Sequence, residues 1–186
     1  NQIRKEYRGL IDDSRLHIIT LPNADSGFWA RDGVPVPVWR SSSPADNFFT
    51  VVDARYYYPF EPDKMVSQLF NSELTQHRYY FEGGNFMANS VGDCMVINTN
   101  ATSIIPDQVF EQHYGCQNLY RLPYVKGIGH ADESVKFIDD NTVLTDTPQY
   151  QRIMSNAGFR VVIVPRARTN YETYVNSLIV NGVVFV

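Results

Sequence analysis

The sequence predicts an α/β fold in which one β-β-α-β unit is used about three and a half times. Three observations predict it. Hairpin turns centred near residues 44, 92, 140 and 182 recur at intervals of 48, 48 and 42 residues. A proline-led helical stretch follows each of the first three hairpins. A further short strand then follows each helix. One such unit buries little surface alone, so neighbouring copies must share a core, in an open array or in a ring.

The first hairpin runs Val34 to Val38, turns through Ser41 to Asn47, and returns along Phe48 to Val52. Its helix is predicted over Pro62 to Asn71 and its third strand over Arg78 to Phe81. The second unit repeats the order with Asn85 to Asn89, a turn at Gly92-Asp93, Cys94 to Ile97, a helix over Pro106 to His113 and a strand over Asn118 to Leu122. The third has Ser134 to Ile138, a turn at Asp139 to Asn141, Thr142 to Thr145, a helix over Pro148 to Ala157 closed by Gly158, and a strand over Phe159 to Val164. The fourth is a hairpin alone, Asn176 to Val180 and Val183 to Val186 around Asn181-Gly182, a dipeptide that favours tight hairpin turns.

A chain of 186 residues supports one core and one domain, and 44% hydrophobic residues mark it as globular. A net charge of -4 gives no basic field for nucleic acid or a membrane surface. Apolar runs such as Val161 to Val164 are far too short to span a bilayer. The chain opens at Asn1 without a secretory signal pattern, which reads as a mature or trimmed sequence and leaves the compartment open. Its two cysteines, Cys94 and Cys116, could pair but are too few for a disulfide framework. Cys94 begins an apolar strand and reads as a small buried hydrophobe. His113-x-x-Cys116 has the spacing of half a zinc site, yet no second pair completes it, so no metal is expected.

The chemistry concentrates where each unit begins. In Gly127-Ile-Gly-His130-Ala-Asp132 a histidine and an acid two residues apart project to one side as the chain enters a strand. That arrangement mounts an acid/base group beside a cation-binding carboxylate. Counting back from each turn, Asp32, Glu82, His130 and Glu172 with Asn176 occupy comparable places. If the units close around an axis, these side chains converge on a pocket suited to a planar, hydrogen-bonding cation. Trp29 stands three residues before Asp32, so it can flank such a cation while Asp32 accepts its N–H groups. Each motif alone also fits a plainer reading: a core tryptophan before a solvated Arg31-Asp32 pair, an ordinary turn at Glu82-Gly83-Gly84, a solvated loop at His130.

The ordered set W-x-R-D with G-x-P, E-G-G-N, G-H-x-D and N-S-L-I-x-N resembles the guanidino-group-modifying enzymes, above all the bacterial peptidylarginine and agmatine deiminases. The resemblance covers about Leu16 to Val186. It implies a pseudo-fivefold β/α propeller of ββαβ modules. It implies that Asp32 and Asp132 grip a guanidinium, that His130 protonates departing ammonia and then activates water, and that Glu82 keeps His130 charged. Trp29 would flank the substrate stem, and Asn176 would shape the pocket near a cysteine nucleophile that forms a covalent thiouronium. No cofactor is implied, and the partner is a guanidino-containing small molecule or peptide.

In that family the nucleophile follows the module that begins at Asn176, and neither Cys94 nor Cys116 matches its position. Residues 1–186 are therefore expected to be the central part of a deiminase domain, without its N-terminal module and nucleophile segment, and inactive alone. Where agmatine deiminases carry F-N-x-W-G, this chain reads Val52-Asp53-Ala54-Arg55-Tyr56. That counts against agmatine, and His130-Ala-Asp132-Glu133 is similar to the H-x-D-E of peptidylarginine deiminases, so arginine or peptidyl-arginine is expected. Arg55 and the three tyrosines after it fit either a peptide contact or a strand-edge cover. Agmatine hydrolysis, amidine transfer and guanidinium binding without catalysis stay open as alternatives.

Overall fold

The repeat is visible in the sheets of a computed structural model, which describes residues 2–20, 29–39, 49–53, 55–56, 62–169, 172–180 and 183–185. Phe28, the turn through Ser41 to Asn47, the tyrosines at 57 and 58, and the Asn181-Gly182 turn lie outside the described residues. A short helix α1 (Gln2–Glu6) and a one-turn helix α2 (Ala30–Gly33) precede the first module. In that module β1 (Val36–Trp39) pairs antiparallel with β2 (Phe49–Asp53), α3 (Asp63–Leu69) crosses over, and β3 (Glu73–Gln76) lies parallel to β2. The second module repeats this with β4 (Met87–Ala88), β5 (Asp93–Asn98), α4 (Asp107–Tyr114) and β6 (Asn118–Pro123). The third uses β7 (Val135–Phe137), β8 (Thr142–Thr145), α5 (Pro148–Asn156) and β9 (Arg160–Ile163). A hairpin of β10 (Leu178–Val180) and β11 (Val183–Phe185) follows. The described residues thus form a mixed α/β fold of three small mixed sheets and one two-stranded sheet.

The helices begin where proline predicts. Pro62 and Pro106 are the N-caps of α3 and α4, and Pro148 opens α5. Gly115 takes a left-handed φ of 72° after α4 and returns its N–H to the Phe110 carbonyl, which stops the helix. The strand predicted over Arg78 to Phe81 is instead at Glu73–Gln76. Asn71 adopts a φ of 48°, which reverses the chain directly after α3 and lets β3 pair at once with β2. Residues 78 to 81 are left as the loop that carries Phe81 into the core and Glu82 to the site. Arg55 lies over the Tyr80 ring at 4.9 Å and donates to the Arg78 carbonyl at 3.3 Å, so it braces this loop.

β5 shows how neighbouring modules share their cores. Its side chains alternate between two faces, as a strand requires. Cys94 and Val96 enter a cluster with Val52, Phe81, Phe86, Phe110 and Tyr114. Met95 and Ile97 enter another with Leu122, Ala131, Val135, Val143, Tyr150 and Met154. One strand therefore cements the second module to both the first and the third. Being apolar on both faces, it reads in sequence as an unbroken hydrophobic run rather than an alternating one.

Cys94 is buried as expected, but it is not a free thiol: it is bonded to Cys116, 22 residues away, with Cα atoms 5.6 Å apart. The turn at Gly115 brings Cys116 beside β5, and that proximity is invisible in spacing alone. The bond ties the end of α4 to the central strand. Closing a loop of this length restricts the unfolded chain by about 3 kcal/mol. Reduction, or the double substitution Cys94→Ala/Cys116→Ala, is expected to lower the free energy of unfolding in urea by about that amount. No helix among the described residues is long and apolar enough to cross a membrane.

Candidate active site

Three short turns, one ahead of each module, carry the polar residues together. The first is α2, where the Asp32 N–H donates to the Trp29 carbonyl at 3.0 Å. The second is a 3-10 turn over Gly83–Asn85, and the third a 3-10 turn over Ala131–Glu133. Each ends in residues that start a strand, so the modules themselves set the turns' positions. Buried Asn85 anchors the second turn: its amide donates to the Ile97 carbonyl and its oxygen accepts the Ile97 N–H, both at 2.8 Å. It takes the place of a missing strand neighbour on β5.

Gly84 lies at the centre. Its N–H donates to Asp32 Oδ1 at 3.0 Å. A Cβ placed on it would sit 2.6 Å from Asp32 Oδ1, 2.7 Å from His130 Nδ1 and 3.0 Å from Asp132 Oδ2. Gly83 is equally crowded, since its Cβ would fall 2.2 Å from the Arg31 carbonyl oxygen. The glycines are thus required for space rather than for an unusual φ. The structure brings Asp32, Glu82, His130 and Asp132 into one cluster, as the convergence of module starts predicts. Glu172 does not join it. That residue is exposed and lines a separate cavity together with Trp29 and Asn176, which are also exposed.

His130 Nε2 meets Glu82 Oε2 at 2.5 Å, while Nδ1 faces Asp32 Oδ1 at 3.5 Å, too long for a firm hydrogen bond. Burial opposes the charge on His130, but the Glu82 hydrogen bond and the charges of Asp32, Glu82 and Asp132 outweigh it and raise its pKa. Burial also raises the pKa of Asp32, against the pull of His130 and the Gly84 N–H. Asp132 is pushed up to about 6 by burial, although His130 and Arg31 draw it down. Three acidic side chains thus surround one histidine and the rim guanidinium of Arg31, whose Nε is 3.7 Å from Asp132 Oδ2. A further cation is the group that would balance this site.

The plainer reading of a solvated Arg31-Asp32 pair does not hold: Asp32 is buried, and half-exposed Arg31 crosses to Asp132 and donates to the Phe86 carbonyl at 3.0 Å. Consecutive residues of a helical turn point about 100° apart, which is the signal that separates them. Asp32, Glu82 and His130 place ligand atoms within 4.8 Å of one another, a spacing compatible with a metal ion. The 2.5 Å bond between His130 and Glu82 already occupies one such atom on each, and a metal would have to displace it.

The separate cavity has a volume of about 360 Å3 and is walled by Trp29, Glu133, Arg166, Arg168, Glu172 and Asn176 among others. None of the four clustered residues lines it, although two of its walls are their chain neighbours: Trp29 opens the turn that holds Asp32, and Glu133 follows Asp132. Arg166, Arg168 and Glu133 were not singled out as site residues by sequence. They lie in a loop after β9 and at the end of a motif, with no pattern to mark them.

No family model and no curated protein matches the sequence. Solved structures do match. The agmatine deiminase of C. jejuni superposes with a TM-score of 0.71 at 18% identity, over 97% of this chain and 63% of that one. The agmatine deiminase of Enterococcus faecalis gives a TM-score of 0.58 at 16% identity, over 83% of this chain and 54% of that one. The DDAH of Pseudomonas aeruginosa, complexed with citrulline, gives 0.53 at 14% identity, over 86% and 60%. The chain therefore has the fold shared by these guanidino-modifying enzymes, and it spans less than two thirds of the length of the C. jejuni enzyme.

Proposed function

We propose that this site binds a substrate guanidinium and supplies the acid/base half of its hydrolysis to a ureido group and ammonia. The observation that carries the reading is the cluster of Asp32, Glu82 and Asp132 around His130, whose pKa they raise, with Gly84 between them. Asp32 and Asp132 would accept paired N–H groups of the cation. A thiolate would attack the guanidinium carbon, and the carbon–nitrogen bond would break as His130 gives its proton to the departing ammonia. The resulting thiouronium would be resolved by water that His130, now neutral, deprotonates, and the thiolate would leave. The proton taken from water restores the imidazolium, which Glu82 would orient and hold charged.

The thiolate is not among these residues, because Cys94 and Cys116 are bonded to each other. We propose that it comes from outside residues 1–186, that the intact domain closes as a fivefold ring of such modules, and that this chain alone binds without turning over. Trp29 and Asn176 would line the path of the substrate stem. The second reading, a guanidinium-binding protein without catalysis, is favoured by the same lack of a free thiol.

The intact gene product is expected to release ammonia and a ureido product from a guanidino substrate. The substitution His130→Ala should lower kcat by at least roughly a thousandfold. Near-normal turnover in that variant would remove His130 from its role, and binding without turnover in the intact protein would favour the second reading.

A further inference from the structure

We infer that His77 is an acid-sensitive latch: as a neutral ring it pins the loop that carries Glu82 to the end of α4, and on gaining a proton it releases that loop. The inference concerns control of the site proposed above and rests on that reading only for its consequence. The latch itself is made of groups outside the site. His77 directly follows β3 and begins the loop that ends in Phe81 and Glu82.

Both ring nitrogens are engaged. Nδ1 accepts the Tyr79 N–H at 3.2 Å, so the proton of the neutral ring sits on Nε2. Nε2 therefore donates to the Tyr114 hydroxyl at 2.8 Å. His77 and Tyr114 are both buried, and the His77 ring stacks on Phe81 with centroids 6.2 Å apart. One side chain thus ties the loop to the last residue of α4 and packs against the residue before Glu82. Glu82 in turn reaches His130 at 2.5 Å.

This setting accepts only the neutral ring. A second proton must go to Nδ1, where it would meet the Tyr79 N–H head-on. The buried charge would face His113 of α4, whose ring centroid is 5.5 Å away, and the positive field of Arg55. Asp53, at the end of β2, favours the charge, but its two oxygens already accept the Arg55 N–H and the Gln76 amide, both at 2.6 Å. Asp63 of α3 acts on Tyr114 rather than on the ring, and Arg78 of the same loop lies over Tyr79. Burial, and then His113, draw the His77 pKa down to about 4, against the pull of Asp53.

A released, solvated ring titrates at 6.5, so the released state binds the proton more tightly than the latched one. The latch is whole above about pH 6.5 and weakens as pH falls toward 4. Across that window the equilibrium constant for release rises tenfold per pH unit, roughly 300-fold in all. Asp132 cannot produce this loss, because its raised pKa favours the folded state as pH falls through the same window.

The test is amide hydrogen exchange and methylguanidine titration of the unaltered chain and of His77→Gln between pH 8 and 4. Glutamine offers one donor and one acceptor, as neutral histidine does, and does not titrate. In the unaltered chain the protection of the Tyr79 N–H, relative to its intrinsic exchange rate, is expected to fall about tenfold per unit below pH 6.5. In His77→Gln it should stay level, and β5 amides should hold in both chains. At pH 4.5 His77→Gln should bind methylguanidine about tenfold tighter than the unaltered chain, and at pH 8 equally. Tyr79 protection independent of pH in the unaltered chain would overturn the inference, and that measurement stands even if the variant fails to fold. So would β5 protection falling in step with Tyr79, which would mean unfolding of the whole chain, or equal methylguanidine affinities at pH 4.5. Failure of both chains to bind methylguanidine at pH 8, with the exchange signature present, would sink the functional reading and leave the latch.

Discussion

Asp132→Asn is expected to weaken guanidinium binding roughly 100-fold and, at the same time, to make the folded chain more stable near neutral pH. The first effect follows from removing one of two carboxylates that would hold the cation; a lost charge-assisted pair costs about 3 kcal/mol. The second follows from the raised pKa. Asp132 titrates near 6 when folded, against 3.8 for an exposed aspartate. A raised folded pKa means that the folded state favours the protonated acid, so the penalty for ionising it grows as pH rises from about 4 to about 6. Above that window the ionised carboxylate costs roughly 2–3 kcal/mol, which the neutral amide avoids. Urea denaturation at about pH 8 should therefore show the variant more stable, and the two proteins should converge at about pH 4. The same proton governs binding in the unaltered chain: affinity for methylguanidine should fall about tenfold per unit below pH 6. A variant less stable at every pH would show that Asp132 is a structural anchor rather than a strained binding group.

The other large effect is expected at Gly84. A methyl group there overlaps Asp32 Oδ1 and His130 Nδ1 at 2.6 and 2.7 Å, and all three turns lead directly into strands. Gly84→Ala should abolish binding of methylguanidine and lower the free energy of unfolding by about 2–3 kcal/mol. Binding at full strength in a stable Gly84→Ala chain would mean that the turns are free to part, and that the cluster is looser than its geometry indicates.

Much of this was legible in the sequence because the module is repeated. Proline-led helices and turn dipeptides fixed the order of elements within a few residues, and counting back from the turns identified Asp32, Glu82 and His130 as equivalent starts. The illegible parts are those set by a single backbone torsion or by packing. Asn71 in the left-handed region moved β3 forward, and no propensity announces that choice. The pairing of Cys94 with Cys116 needed the parallel register of β5 and β6 and the turn at Gly115. Asn85 looked like the start of a strand but serves as a strut, because its amide imitates a peptide group. Glu172 fitted the count and not the cluster, since its module start is not built like the other three.

The origin of the four clustered side chains has one more consequence. Asp32 comes from the first module's turn, Glu82 from the second's, and His130 with Asp132 from the third's. Among the described residues no single module brings the four side chains together; each holds only a fraction of the cluster's charge. A loosened state that keeps its helices and hairpins but lets the modules drift would retain its circular dichroism and lose the site altogether. On the function proposed above, guanidinium affinity would be a coincidence detector for tertiary order, silent until three sequence-distant segments are simultaneously in register.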